Sequence, residues 1–134
     1  MIPVTPAALQ EEVNRYAREA AAALEDLGYK PAVMPRAVIV GARRGQRRNP
    51  KSGKWGVKIK VAGGKRLHAA AWQQWNKRTR ISRITMVLPP DPASHEYNRG
   101  DLRHEVCHGV MHASGIPAKL QHRVMEILHG SAWI

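Results

Sequence analysis

Between Leu27 and Pro90 the chain has no aspartate or glutamate, yet this stretch holds 16 of its 22 lysines and arginines. The ten acidic residues all lie at Glu11 to Asp26 or at Asp91 to Glu126. A one-signed segment of that length cannot neutralise itself. Its cations form a solvated basic surface or meet a polyanion. What the middle can bury is its apolar pattern alone, and most of that pattern is strand-like. Ala37 to Val40 is a short apolar run ended by Gly41. In Trp55 to Val61, Val57, Ile59 and Val61 alternate with Lys58 and Lys60, the period of a half-buried strand. Ser82 to Leu88 puts Ile84, Met86 and Leu88 on one face before Pro89 and Pro90 stop it. Arg66 to Lys77 differs: Leu67, Ala71 and Trp75 recur at helical spacing and predict a helix inserted before the third strand. Arg43 to Gly53 reads as a basic loop.

The two ends of the chain read as helices. Pro6 to Leu27 has Thr5 as N-cap, proline at its first position and Gly28 as a stop, with Leu9, Val13, Tyr16, Ala20, Ala23, Leu24 and Leu27 on one side. After a polar linker from Pro89 to Arg99, helices are predicted over Gly100 to Ser114 and Pro117 to His129, separated by Gly115 and ended by Gly130. The fold class expected is α+β: an N-terminal helix, a small three-stranded antiparallel sheet and two C-terminal helices. The 134 residues fit one domain, 1–134, with 27–90 as its basic, acid-free segment. No apolar run reaches the length of a membrane span, and the first residues lack the pattern of a secretory signal. The single cysteine, Cys107, excludes an intramolecular disulfide. A cytoplasmic protein with no membrane contact is therefore expected. Cys107 itself reads as a small buried side chain.

Residues 104–108 are His-Glu-Val-Cys-His, the HExxH pattern, in a stretch predicted helical. His104 and His108 stand one turn apart, so both imidazoles project from one face and can close on one tetrahedral zinc ion. Glu105 is rotated about 100° around the axis, off the metal but near a water bound to it, where it can act as general base. Leu102, Val106, Gly109, Val110 and Ala113 lie opposite, an apolar back for a core. A catalytic zinc takes a third protein ligand. Glu126, 18 residues after His108 on the next helix, leads. His122, one turn earlier on the same face, is second, and His129 third. His112 continues the histidine row but lies about 12 Å along the axis from His104. It reads as a residue behind the ligands or touching substrate. Tyr97 and Arg103 are near enough in sequence to contact a substrate carbonyl.

HEVCH followed by a helix carrying Glu126 resembles the zincin metallopeptidases, in particular the gluzincin branch. The resemblance covers about residues 82–130. It implies two histidines and a glutamate as ligands, and an extended peptide docked along Ser82 to Leu88 as the sheet edge. HEVCHGVMH is similar to the HExxHxxxH of ImmA/IrrE-like proteases, which implies an acidic third ligand. DLRHEVCH with a later histidine is similar to SprT-like proteases. That likeness implies a third histidine and action on DNA-associated proteins; His129 with Gly130 fits it better than His122 with Arg123.

These readings converge on a zinc-dependent peptidase whose partners are a protein or peptide substrate and, through the basic segment, DNA or RNA. The residues expected to contact nucleic acid are Arg43, Arg44, Arg47, Arg48, Lys51, Lys54, Lys58 and Lys60. A different class is a non-enzymatic nucleic-acid-binding protein whose histidine helix is structural or holds a vestigial zinc site.

Overall fold

The structure is a computed structural model that describes residues 5–30, 35–41, 47–48, 50–51, 55–61, 63–90 and 95–129, with 47, 95–98, 128 and 129 described by backbone alone. Helix α1 spans Pro6–Glu25. The Thr5 hydroxyl accepts from the Ala8 N–H at 3.1 Å, satisfying one of the donors a helix start leaves open. Leu9, Val13, Ala17, Ala20 and Leu24 form its buried stripe. Leu27, expected on that stripe, lies past the helix end and is 50% exposed.

Six strands follow: β1 (Arg36–Gly41), β2 (Arg47–Arg48), β3 (Trp55–Lys60), β4 (Arg66–Ala69), β5 (Ala71–Asn76) and β6 (Ile81–Leu88). They form two three-stranded sheets, ordered β1-β6-β5 and β2-β3-β4. The first is mixed. β1 runs parallel to β6, with Ile39 opposite Met86, and β5 runs antiparallel to it, with Gln73 opposite Ile84. The second is antiparallel throughout.

The α+β class holds, but the expected wholly antiparallel three-stranded sheet and the inserted helix do not. Residues 66–77 are two strands broken at Ala70, and every residue from Ala71 to Asn76 has a cross-strand partner on β6. The spacing of Leu67, Ala71 and Trp75 that looked helical straddles that break. Ser82 to Leu88 is also not a sheet edge: β6 is the central strand, with both edges paired, and β5 takes the outer position.

Helix α2 spans His95–Ala113, starting within the expected linker, and α3 spans Ala118–His129. α2 packs against β5 and β6, and α1 packs against β1 and α2. Ile84 and Met86 of the central strand meet Leu9 and Val13 of α1 and Leu102, Val106 and Val110 of α2 in one core. Gln10 fixes α1 to the sheet, its side-chain oxygen accepting from the Ala37 N–H at 3.2 Å. Among the described residues no helix is long and apolar enough to cross a membrane.

Close approach of α2 to β6 depends on Gly109. A Cβ there would sit 3.0 Å from Ser82 Cβ and 3.1 Å from Pro35 Cγ. Ser82 also donates its hydroxyl to the Gly109 carbonyl at 3.4 Å. Alanine would gain up to about 1 kcal/mol in helix propensity, but overpacking at such a contact costs about 1–3 kcal/mol. Gly109→Ala is therefore expected to lower the melting temperature by a few degrees. An unchanged or higher melting temperature would show that the helix is not held this closely.

Candidate metal centre

α2 places His104 and His108 as the sequence requires. They share the front of a helix whose back is buried at Leu102, Val106, Cys107, Val110 and Met111. Their ring centroids are 4.6 Å apart and their planes lie 78° to one another. The helix ends in a glycine cap. Gly115 has φ +81°, its N–H reaches the His112 carbonyl at 3.1 Å, and the Ile116 N–H reaches the Met111 carbonyl at 3.0 Å. This double bond is the Schellman arrangement, and Ile116 and Met111 are both buried beside it in the core. Pro117 follows, and the chain turns into α3.

The turn brings His122 to the two motif histidines. Nε2 of His108 lies 3.0 Å from Nε2 of His104 and 3.0 Å from Nε2 of His122, and the last two are 3.4 Å apart. Four tetrahedral ligands with Zn–N of about 2.0–2.1 Å stand about 3.3–3.4 Å from one another, so the triangle has the size of one face of a zinc site. Among the described residues, His104, His108 and His122 are the group close enough to hold a metal ion.

Glu126, expected first as the third ligand, is not in this group. It lies one turn beyond His122, exposed, and shares an open surface hollow with Lys119, His122, Arg123 and Ile127. The reason is how α3 is rotated. Its buried side is Gln121 and Met125, while Leu120 and Ile127 are 44% and 69% exposed. With Gln121 inward, His122 stands beside the α2 histidines. The His129 side chain lies outside the described residues.

Gln121 was not anticipated. It is 1% exposed, and a polar group so buried must be hydrogen-bonded. Its amide NH₂ donates to the Ile116 carbonyl at 2.9 Å, which leaves its oxygen to accept from His108 Nδ1–H at 2.7 Å. The carbonyl can only accept, so the amide orientation is fixed, and with it the His108 tautomer. The proton is on Nδ1 and the lone pair of Nε2 points to the other two histidines. Burial, the largest effect, lowers the His108 pKa to about 4, and the neighbouring His104, His122 and His112 act in the same direction against the Gln121 bond. The ring is neutral at neutral pH, as a metal ligand must be. The signal available in sequence was a glutamine at 121, four residues before the apolar Met125.

Glu105 and His104 line one hollow of about 400 Å³. Its other walls are apolar residues of β3 to β5, among them Ile59, Leu67, Ala69 and Trp72, with His68 and Asp101 at its margin. Burial first, and then the charge of Asp101, raise the Glu105 pKa to about 7. A carboxylate that lines one hollow with His104, against largely apolar walls, is equipped to exchange a proton with a polar group placed there.

The remaining expected site residues are dispersed. His112 stacks on Trp75 with centroids 5.5 Å apart and planes 10° from parallel, outside the trio. Arg103 is tied to α1 instead of a substrate position: it pairs with Glu19 at 3.2 Å and lies over the Tyr16 ring. Tyr97 is on α2, its side chain outside the described residues. Cys107 is buried as expected, and burial pushes its thiol up to about 12. Of the basic residues expected to meet nucleic acid, Arg43, Arg44 and Lys54 lie outside the described residues, and Arg47 is described by its backbone. Arg48, Lys51, Lys58 and Lys60 are exposed. Lys60 stands directly opposite Arg66 across β3 and β4, a like-charged pair.

No family model, curated protein or solved structure matches the chain. What it does must be argued from this geometry.

The Gln121 bond makes a direct prediction. Gln121→Leu should weaken zinc binding about 10- to 100-fold in a chelator competition, the usual loss when a ligand's supporting hydrogen bond is removed. Affinity within twofold of the original chain would mean that His108 is oriented by packing alone.

Proposed function

We propose that the chain is a zinc-dependent peptidase, with His104, His108 and His122 as metal ligands and Glu105 as general base. The observation that carries this reading is the meeting of three Nε2 atoms within 3.4 Å of one another beside a carboxylate in an open hollow. His104, His108 and His122 would hold the ion, and zinc bound there would supply a Lewis acid for a carbonyl oxygen and lower the pKa of a water to about 7.

The chain's own residues supply the rest. Gln121 keeps the His108 Nε2 lone pair directed toward His104 and His122, where an ion would be held. Glu105 takes a proton from the attacking water and delivers it to the departing amine nitrogen, so one carboxylate serves both halves of the hydrolysis. The apolar wall of the hollow limits competing water around that carboxylate. A substrate backbone has a place to bind. β5 is the edge strand of its sheet, and its first three residues, Ala71, Trp72 and Gln73, line the same hollow as Glu105. An extended peptide laid along that edge gains main-chain hydrogen bonds and passes the site. The zincin resemblance supports the same reading, with a histidine in place of the glutamate of the gluzincin branch.

The test is a set of single substitutions assayed for zinc content and for cleavage of an unfolded protein such as casein. His104→Ala, His108→Ala and His122→Ala should each lose tightly bound zinc, while Glu126→Gln should keep it. Glu105→Gln should retain zinc and lose at least 100-fold in cleavage rate, the size of a general-base contribution. Zinc retained in His122→Ala but lost in Glu126→Gln would overturn the ligand assignment. Cleavage undiminished in Glu105→Gln would overturn the mechanism.

A further inference from the structure

The β5–β6 hairpin ends in a turn, residues 77–80, that presents Lys77, Arg78 and Arg80 to solvent, with Arg83 close behind on β6. Among the described residues none of these four has an ion-pair partner. Two of the carboxylates of α1 are engaged with other cations, Glu12 with Arg99 and Glu19 with Arg103. The turn is firmly built. The Asn76 side-chain oxygen accepts from the N–H groups of Arg78 and Thr79, and the Asn76 carbonyl accepts from Arg80 N–H at 2.7 Å. The turn therefore fixes the backbone from which the cations project.

Arg80 is the one non-glycine residue with positive φ among the described residues, at +58°. Glycine or asparagine suits that conformation better than a long side chain does. A strained backbone position occupied by arginine points to a use for the charge. Beside the turn stands Trp75, half-buried and stacked on His112. It separates two open hollows, of about 590 and 440 Å³. Lys77 lines both, Arg78 and Arg83 line the first, and Arg80 lines the second.

We infer that this hairpin end binds single-stranded nucleic acid, with Lys77, Arg78, Arg80 and Arg83 on successive phosphates and Trp75 as a stacking platform for a base. Cations on an ordered turn beside an aromatic ring are what an unpaired strand requires, because its phosphates are regularly spaced and its bases are free to stack. A duplex offers the phosphates without the exposed bases. The site is separate from the residues 43–60 that composition had singled out, and it lies one helical turn past His108, at His112. It rests on charge and geometry that do not involve the metal.

The test is fluorescence anisotropy of a labelled 20-nucleotide oligothymidine titrated with the full chain at several salt concentrations. The triple variant Lys77→Ala/Arg78→Ala/Arg80→Ala should bind at least tenfold more weakly, and its slope of log affinity against log salt should be shallower by about 2, given about 0.7 per phosphate contact on single strands. Lys58→Ala/Lys60→Ala and His104→Ala/His108→Ala should change affinity less than threefold. Trp75→Ala should weaken the oligothymidine and leave a duplex of the same length unaffected. Should Trp75→Ala fail to fold, Arg80→Gly decides the matter: its melting temperature should rise while its affinity for the oligonucleotide falls. The proposal is overturned if the triple variant binds as the original chain does, if the loss follows Lys58 and Lys60, or if Arg80→Gly becomes more stable with affinity unchanged.

Discussion

A glutamine amide between a backbone carbonyl and an imidazole can be placed only one way round. Ile116 offers an oxygen, so Gln121 must turn its NH₂ there and its own oxygen to His108. That sets the proton on Nδ1 of His108 and leaves the other nitrogen free to meet His104 and His122. Reversing the amide would set its oxygen against the buried Ile116 carbonyl, two acceptors with no hydrogen between them. The same side chain holds α3 against the end of α2. Ligand geometry and the helix–turn–helix connection are thus one construction, and the turn that permits it is the glycine cap at Gly115.

The part of the site legible in the sequence is the part built within one helix. His104, Glu105 and His108 are related by the helical repeat, and the apolar back at Leu102, Val106 and Val110 fixes which side faces the core. The third histidine depends on how a second helix is rotated about its own axis. Leu120, Val124 and Ile127 are apolar at helical spacing on α3, yet Leu120 and Ile127 are exposed and only Val124 packs, partly buried, against the core. The structure buries Gln121 and Met125 more deeply, because a glutamine with both ends hydrogen-bonded costs little to bury. A reading by hydrophobicity alone passes over such a residue.

The sheets show a similar limit. β1, β3 and β6 were visible as apolar runs or strict alternation. β4 and β5 were not, because they are short, joined at Ala70, and rich in residues acceptable in either helix or strand. Pairing decides their conformation, β4 with β3 and β5 with β6, and pairing is not a local property. The difference matters for the site. With β5 outside β6, the sheet edge lies beside Glu105 and the apolar wall of the hollow comes from the strands.

The proposed chemistry stands on zinc held by three imidazoles with one position left for a lighter ligand. X-ray absorption spectroscopy of the zinc-loaded chain tests this most directly. The expected spectrum has three imidazole nitrogens and one further oxygen in the first shell at about 2.0 Å, with the outer-shell scattering that imidazole rings produce. A first shell of oxygens with the scattering of at most one imidazole would contradict it.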